Sequence, residues 1–251
     1  MEMQIRGGVV GGSSNLIEYC VNKCFVNGGS GTGGIVGATN YNINKCGNYG
    51  NTNSSSGFIG GIAGIVSQDS QCTNISNCYN FGNITAGTDD VGGIIGALFN
   101  YGVSVQNCYN RGNINAKSGN RQAGGIVGDS YNRGSNSSAG TKKIVNCYNT
   151  GTITGNRIGS FVGQNQSTEI RNSMATTSTV ASYSNRATLI SSSIGCSIST
   201  LQSSASKLGE AYIADGKKID KDGNIVDNKN NDGNIVYINN GYPILKWQVT
   251  N

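Results

Sequence analysis

The chain has 251 residues, among them 39 Gly, 35 Asn, one Pro and no His, and only 12% of the residues are charged. That length suits one large domain or two small ones. The missing imidazole excludes Ser-His-Asp and Cys-His nucleophiles and His-ligated metal sites. The net charge of +5 is unevenly placed: residues 111–208 carry ten Lys/Arg against two Asp/Glu, while residues 1–110 and 209–251 are slightly acidic. No run of 18 apolar residues exists and residues 1–6 lack the organisation of a signal peptide, so no membrane insertion is expected. A repeat begins at Gly7, which reads as a fragment of a longer, exported protein.

Along the chain one string recurs six times: Gly7-Gly8-Val9-Val10-Gly11, then copies starting at Gly33, Gly60, Gly92 and Gly124, and a variant at Gly159. A second string lies between the copies, clearest as Asn77-Cys78-Tyr79-Asn80-Phe81-Gly82-Asn83-Ile84 and its counterparts from Asn107 and Asn146. A period of 26 to 35 residues means one supersecondary unit per repeat. The fragments are short, rich in β-branched residues and broken by Gly, Asn and Ser, which suits strands and tight corners. The expectation is an all-β parallel β-solenoid of about six coils over residues 1–175, each coil built of about three strands. Residues 176–206, Ser/Thr-rich, read as one or two degenerate coils. Residues 207–251 read as a C-terminal cap over one open end of the rod, with hairpins at Asp222-Gly223 and Asp232-Gly233.

Strand alternation assigns faces. With Cys78 inward, Asn80, Gly82 and Ile84 follow it, while Tyr79, Phe81, Asn83 and Thr85 point out. The odd spacing from Ile75, Val105 or Ile144 to the cysteine predicts a corner or bulge at the intervening Asn or its neighbour. Cys24, Cys46, Cys78, Cys108 and Cys147 are read as one repeat position, a row of small buried core thiols with no zinc. Candidate ligand contacts form an outer row of Tyr79, Tyr109 and Tyr148 with Asn83, Arg111, Asn113, Thr152 and Thr154. Rings can stack on sugar faces, and amides and hydroxyls can pair with sugar hydroxyls. The basic residues Arg111, Lys117, Arg121, Arg133, Lys142, Lys143, Arg157 and Arg171 suggest an anionic glycan or wall polymer and not nucleic acid.

Two other chemistries compete with a reading as solvated turns. Asp89, Asp90 and Asp129 would serve a polysaccharide-degrading site if two of them approached closely enough. The stretch Asn228, Asn230, Asp232, Gly233 has the alternating oxygens of a calcium loop but ends at Asn239, where such a loop needs Glu. No metal or cofactor is expected from either.

The pairing of Gly-Gly-Ile-Val-Gly with Asn-Cys-Tyr-Asn-x-Gly-x-Ile resembles the GLUG-motif repeats of bacterial surface proteins. The ending Asn239-Asn240-Gly241-Tyr242-Pro243-Ile244-Leu245-Lys246-Trp247 resembles the segment that closes such arrays. The resemblance implies an exported, adhesin-like setting or a place beside immunoglobulin-A peptidase domains, and it brings no catalytic residues. The reading is a non-enzymatic extracellular or cell-surface module for adhesion or carbohydrate contact. The alternatives are a structural stalk or fibre subunit that self-associates end to end, and a polysaccharide-degrading enzyme.

Overall fold

The structure is a computed structural model that describes residues 5–67, 73–87, 90–99, 102–117, 122–130, 141–164, 168–179 and 188–250. Its main body is an all-β parallel solenoid with five complete turns and most of a sixth. Each turn contributes five short strands, not three, because the Asn and Gly corners divide the repeat more finely than the apolar clusters suggest. The second turn shows the pattern: β1 Gly31–Gly33, β2 Val36–Thr39, β3 Ile43–Asn44, β4 Gly47–Asn48 and β5 Thr52–Ser54. Stacking of equivalent strands makes five parallel sheets that run the length of the rod.

The corner between the third and fourth sheets falls where the odd spacing places it. Asn77, Asn107 and Asn146 have φ of 54°, 53° and 53°, the left-handed region that Asn tolerates better than most residues. The interior forms separate apolar clusters. One holds Ile35, Ile62, Ile94, Ile126 and Phe161 with the third-sheet residues Ile43, Ile75, Val105, Ile144 and Ile170. The other holds Ile59, Val91 and Ala123 with Ile84, Ile114 and Ile153. Each fully buried Ile contributes about 2–3 kcal/mol of hydrophobic stabilisation.

A buried amide row completes the interior. Asn22 donates through Nδ2 to Asn48 Oδ1, Asn48 to Asn80, Asn80 to Asn110 and Asn110 to Asn149, each at 2.8 Å. Every one of these amides also donates to the carbonyl two residues on, as Asn80 does to Gly82 at 2.8 Å. Such satisfaction removes the penalty of burying an amide. The second Gly of each Gly-Gly pair makes the room: a Cβ on Gly61 would stand 2.3 Å from Asn80 Cγ. The two repeated strings are therefore two halves of one contact.

The cysteine row differs from the expectation at its first member. Cys20, not Cys24, stacks on Cys46, because the register pairs Val21 with Gly47. Cys24 is exposed and occupies the place held by Gly50 in the next turn, its carbonyl accepting from Asn22 as that of Gly50 accepts from Asn48. Its -Asn-Lys-Cys- context misaligned it by four residues. Cys46, Cys78, Cys108 and Cys147 are buried free thiols that donate to the carbonyl two residues back.

The C-terminal segment does not close an end. It lies along the flank of the rod: Trp247 Nε1 donates to Asn77 O at 2.9 Å, and Tyr212 Oη donates to Cys108 O at 3.2 Å. The end after the sixth turn is instead covered by the preceding segment. There Thr188–Ile190 pairs with Thr168–Arg171, and Leu189 and Ile194 pack on the core. Among the described residues no helix is long and apolar enough to cross a membrane.

Candidate functional site

Tyr79, Tyr109 and Tyr148 point away from the solenoid interior, as alternation requires, and stack on one another. Ring centroids are 5.5 Å apart for Tyr79–Tyr109 and 4.7 Å for Tyr109–Tyr148, with planes within 16° and 3° of parallel. They are nonetheless buried, Tyr109 and Tyr148 completely. A stack of three rings is a large apolar surface, and it is covered by Leu201 of the preceding segment and by Leu208, Tyr212, Tyr242 and Leu245 of the C-terminal segment. Tyr148 Oη donates to Pro243 O at 2.6 Å and accepts from Asn239 Nδ2 at 2.7 Å, and Tyr109 Oη donates to Gln248 Oε1 at 3.1 Å. Burial pushes the phenols of Tyr79, Tyr109, Tyr148 and Tyr212 above their ordinary value. These tyrosines are thus corrected from ligand contacts to an internal seam.

Arg111 belongs to the same seam. Its Nη1 donates to Asn239 O at 3.0 Å and Oδ1 at 2.7 Å, with the guanidinium over the Tyr242 ring at 4.5 Å. Asp215 shapes the loop that receives it, accepting from the backbone N–H groups of Gly216, Ile238, Asn239 and Gly241. The sequence signal for this seam was present: a Tyr repeated at one position in three turns, and one C-terminal stretch rich in Tyr, Pro, Leu and Trp.

The remaining candidates, Asn83, Asn113, Thr152 and Thr154, are exposed along the fifth sheet, Thr154 within its strand and the other three on the residue just before theirs. There they join residues that the sequence reading passed over. One row runs Asn51, Asn83, Asn113, Thr152, and a parallel row, two residues on, runs Asn27, Asn53, Thr85, Asn115, Thr154. Rungs are about 4.8 Å apart and the rows roughly 7 Å apart. In the first row each Oδ1 accepts the backbone N–H of the next turn: Asn51 from Asn83 at 2.9 Å, Asn83 from Asn113 at 3.0 Å, Asn113 from Thr152 at 3.1 Å. The carbonyl end of each amide is held, and among the described residues the Nδ2 groups of Asn51, Asn83 and Asn113 meet no protein acceptor. Neither row contains a charged side chain. The arrangement presents a regular array of hydrogen-bonding groups.

The other candidate chemistries find no such assembly. Asp89, Arg121 and Arg133 lie outside the described residues. Asp90 is buried before the first-sheet strand and accepts from Gln122 N at 3.3 Å, while Asp129 is buried at the end of the second-sheet strand Val127–Asp129. Lys142 is buried too, donating to Leu98 O at 3.0 Å and to Ser130 O, and burial pushes its pKa down to about 8 against the opposing pull of Asp129. Arg171 pairs with Glu169 on the third sheet. At the calcium-like stretch, Asn230 Oδ1 accepts from the N–H groups of Asp232 and Asn234, as Asp220 Oδ1 does from Asp222 and Asn224. Both are turns closed by a side chain on its own backbone. Among the described residues no group of three His, Cys, Asp or Glu could hold a metal ion.

No family model matches the chain, and no curated protein matches it. Among solved structures it is similar to a Bacteroides ovatus protein named provisionally as an immunoglobulin A1 protease, with a TM-score of 0.57 and 21% identity over 96% of this chain and 74% of that one. At that identity the likeness shows the solenoid fold.

Proposed function

We propose that the chain is a non-catalytic, surface-exposed repeat module that contacts a neutral hydroxylated polysaccharide along the Asn/Thr face of the fifth sheet. The observation that carries this reading is the row Asn51, Asn83, Asn113, whose amide oxygens are held by the next turn while the Nδ2 donors stay free. Amides already fixed in orientation lose little entropy on binding, and a periodic row matches a periodic polymer. Neither row itself carries a charged side chain, which favours a neutral chain; Lys142 is buried, Arg111 is tied to Asn239 and Arg171 is paired with Glu169, while the exposed Lys117 and Lys143 are what an anionic chain would use. The two repeated strings, now one packing unit, support placing the chain among GLUG-type repeats of exported bacterial proteins.

Enzymatic readings stand behind this one. The name of the structural neighbour describes that protein, and a chain with no histidine cannot build Ser-His or Cys-His proteolysis. Asp90 and Asp129 are both buried, Asp90 just before a first-sheet strand and Asp129 at the end of a second-sheet strand.

Co-sedimentation with insoluble cellulose, chitin and β-1,3-glucan, at low and high salt, tests the proposal. Binding to one of them that persists at high salt and falls at least tenfold in the triple variant Asn83→Ala, Asn113→Ala, Asn115→Ala supports it. Binding that the triple variant leaves unchanged, or retention only on anionic polymers at low salt, contradicts it.

A further inference from the structure

The amides along the fifth sheet all face the same way. Asn51, Asn83 and Asn113 turn Oδ1 toward the following turn, where each accepts a backbone N–H, at 2.9, 3.0 and 3.1 Å. Asn113 Oδ1 takes a second hydrogen, from Thr152 Oγ1 at 2.8 Å. In the neighbouring row Asn115 Oδ1 accepts from Thr154 Oγ1 at 3.3 Å, again a donor on the following turn. A backbone N–H can bond only the oxygen of an amide, so in the first row these contacts also fix which end of each side chain is which. Asn51, Asn83, Asn113 and Asn115 are all exposed.

Such a face offers hydrogens and keeps few acceptors. Three consecutive turns present the Nδ2 groups of Asn51, Asn83 and Asn113 at the ~4.8 Å spacing of the rungs. The acceptor fixed in this row is Thr152 Oγ1, whose own hydrogen is spent on Asn113. A sugar hydroxyl brings a hydrogen as well as lone pairs, and against a row of NH2 groups that hydrogen finds no partner. An amide carbonyl brings lone pairs only and matches the row in full. A carboxylate is also a pure acceptor, but neither row carries a cation to offset the cost of desolvating its charge.

We propose, building on the polysaccharide reading above, that the polymer is N-acetylated, a β-linked chain of 2-acetamido sugars. Acetamido carbonyl oxygens accept from the Nδ2 groups of Asn51, Asn83, Asn113 and Asn115, and an acetamido N–H donates to Thr152 Oγ1. Asn113 and Thr152, at equivalent places on successive turns, determine the specificity, because together they set a donor beside an acceptor as the acetamido group does. A site built on hydrogen bonds to one group rejects the analogue lacking that group far more strongly than an apolar pocket does. Cellulose, with a hydroxyl in place of each acetamido group of chitin, is the analogue this face should reject.

Depletion isotherms of the 251-residue protein on amorphous chitin and amorphous cellulose test this. The expected result is at least tenfold tighter binding to chitin. Asn113→Asp keeps the oxygen that accepts from Thr152 but puts an acceptor where the NH2 was, and should lower chitin affinity at least tenfold. Thr152→Val removes the hydroxyl acceptor and should weaken chitin binding severalfold while leaving any binding to cellulose unchanged. Both side chains are exposed, so an unchanged circular-dichroism spectrum is expected and shows that the fold is kept. Equal affinity for the two polymers, weakened alike by Asn113→Asp, overturns the N-acetyl assignment and leaves the polysaccharide reading standing. A chitin preference that both variants leave intact overturns the assignment too, as does tighter binding to an insoluble polyuronate, whose carboxylates would use the exposed Lys117. Binding to none of these polymers overturns both.

Discussion

Asn80 fills the space that a side chain on Gly61 would need, its Cγ 2.3 Å from the position of that missing Cβ. The amide so lodged donates to Asn110 Oδ1 and to Gly82 O, both at 2.8 Å. Gly61→Ala must push aside both this amide and Gly93 O, which also lies 2.3 Å away, and should cost about 3 kcal/mol. Asn110→Ala should cost roughly 2–4 kcal/mol, because it leaves a buried donor and acceptor of its neighbours short of a partner. Urea unfolding checks both: a lower midpoint at unchanged slope is the expected result.

The C-terminal segment is pinned at Tyr148. Tyr148→Phe removes the hydroxyl that donates to Pro243 O and accepts from Asn239 Nδ2, two buried contacts. A destabilisation of about 1–3 kcal/mol is expected, concentrated in that segment. Limited trypsin digestion should cut the variant faster than the parent after Lys207 and Lys246, while cleavage after Lys143 changes little.

Thiol reactivity should divide the cysteines sharply. Cys24 is exposed and Cys20 partly so, whereas Cys46, Cys78, Cys108 and Cys147 are fully buried. Contact with Cys78 and burial hold the Cys46 thiol above its ordinary value, and burial does the same at Cys108. Maleimide labelling read by peptide mass spectrometry should mark Cys24 first, with the four buried thiols silent until urea is added.

Lys142 makes stability depend on pH in the alkaline range. Its folded pKa is about 8 against 10.5 for an exposed lysine. Between those values the unfolded chain binds more protons than the folded one, so stability rises with pH through that window, by up to about 3 kcal/mol. Below pH 8 the full cost of burying the ammonium is present. Above pH 10 the buried tyrosines oppose the trend, since the unfolded chain loses phenolic protons that the folded one retains. Thermal midpoints between pH 7.5 and 9.5 should climb for the parent and stay flatter for Lys142→Met. Equal slopes would remove Lys142 from the explanation.

Much of this was legible in the residues themselves. The repeated strings gave the solenoid, the odd spacing before Cys78 gave the left-handed corner at Asn77, and alternation gave the inward Asn80 and outward Tyr79. What alternation could not supply is whether an outward side chain meets water or another part of the chain. Tyr109 and Tyr148 point out and are buried, because residues far along the sequence lie over them. Asn83 and Thr152 point out and remain exposed. The misplacement of Cys24 has a similar origin, since in a turn rich in Cys and Asn a match of letters competes with the true register. The third failure, three strands in place of five, reflects strands of two residues such as Tyr79–Asn80, too short to carry a periodic signal.

The tyrosine flank of the solenoid is covered and its Asn/Thr face is open. Hydroxyl-radical footprinting of the intact protein, read residue by residue, tests this division directly. The prediction is slow oxidation of Tyr109, Tyr148 and Tyr212, with rapid oxidation of Phe25, Tyr41 and Tyr237. Oxidation of Tyr109 and Tyr148 as fast as that of Tyr41 would contradict it and return the tyrosine row to the surface.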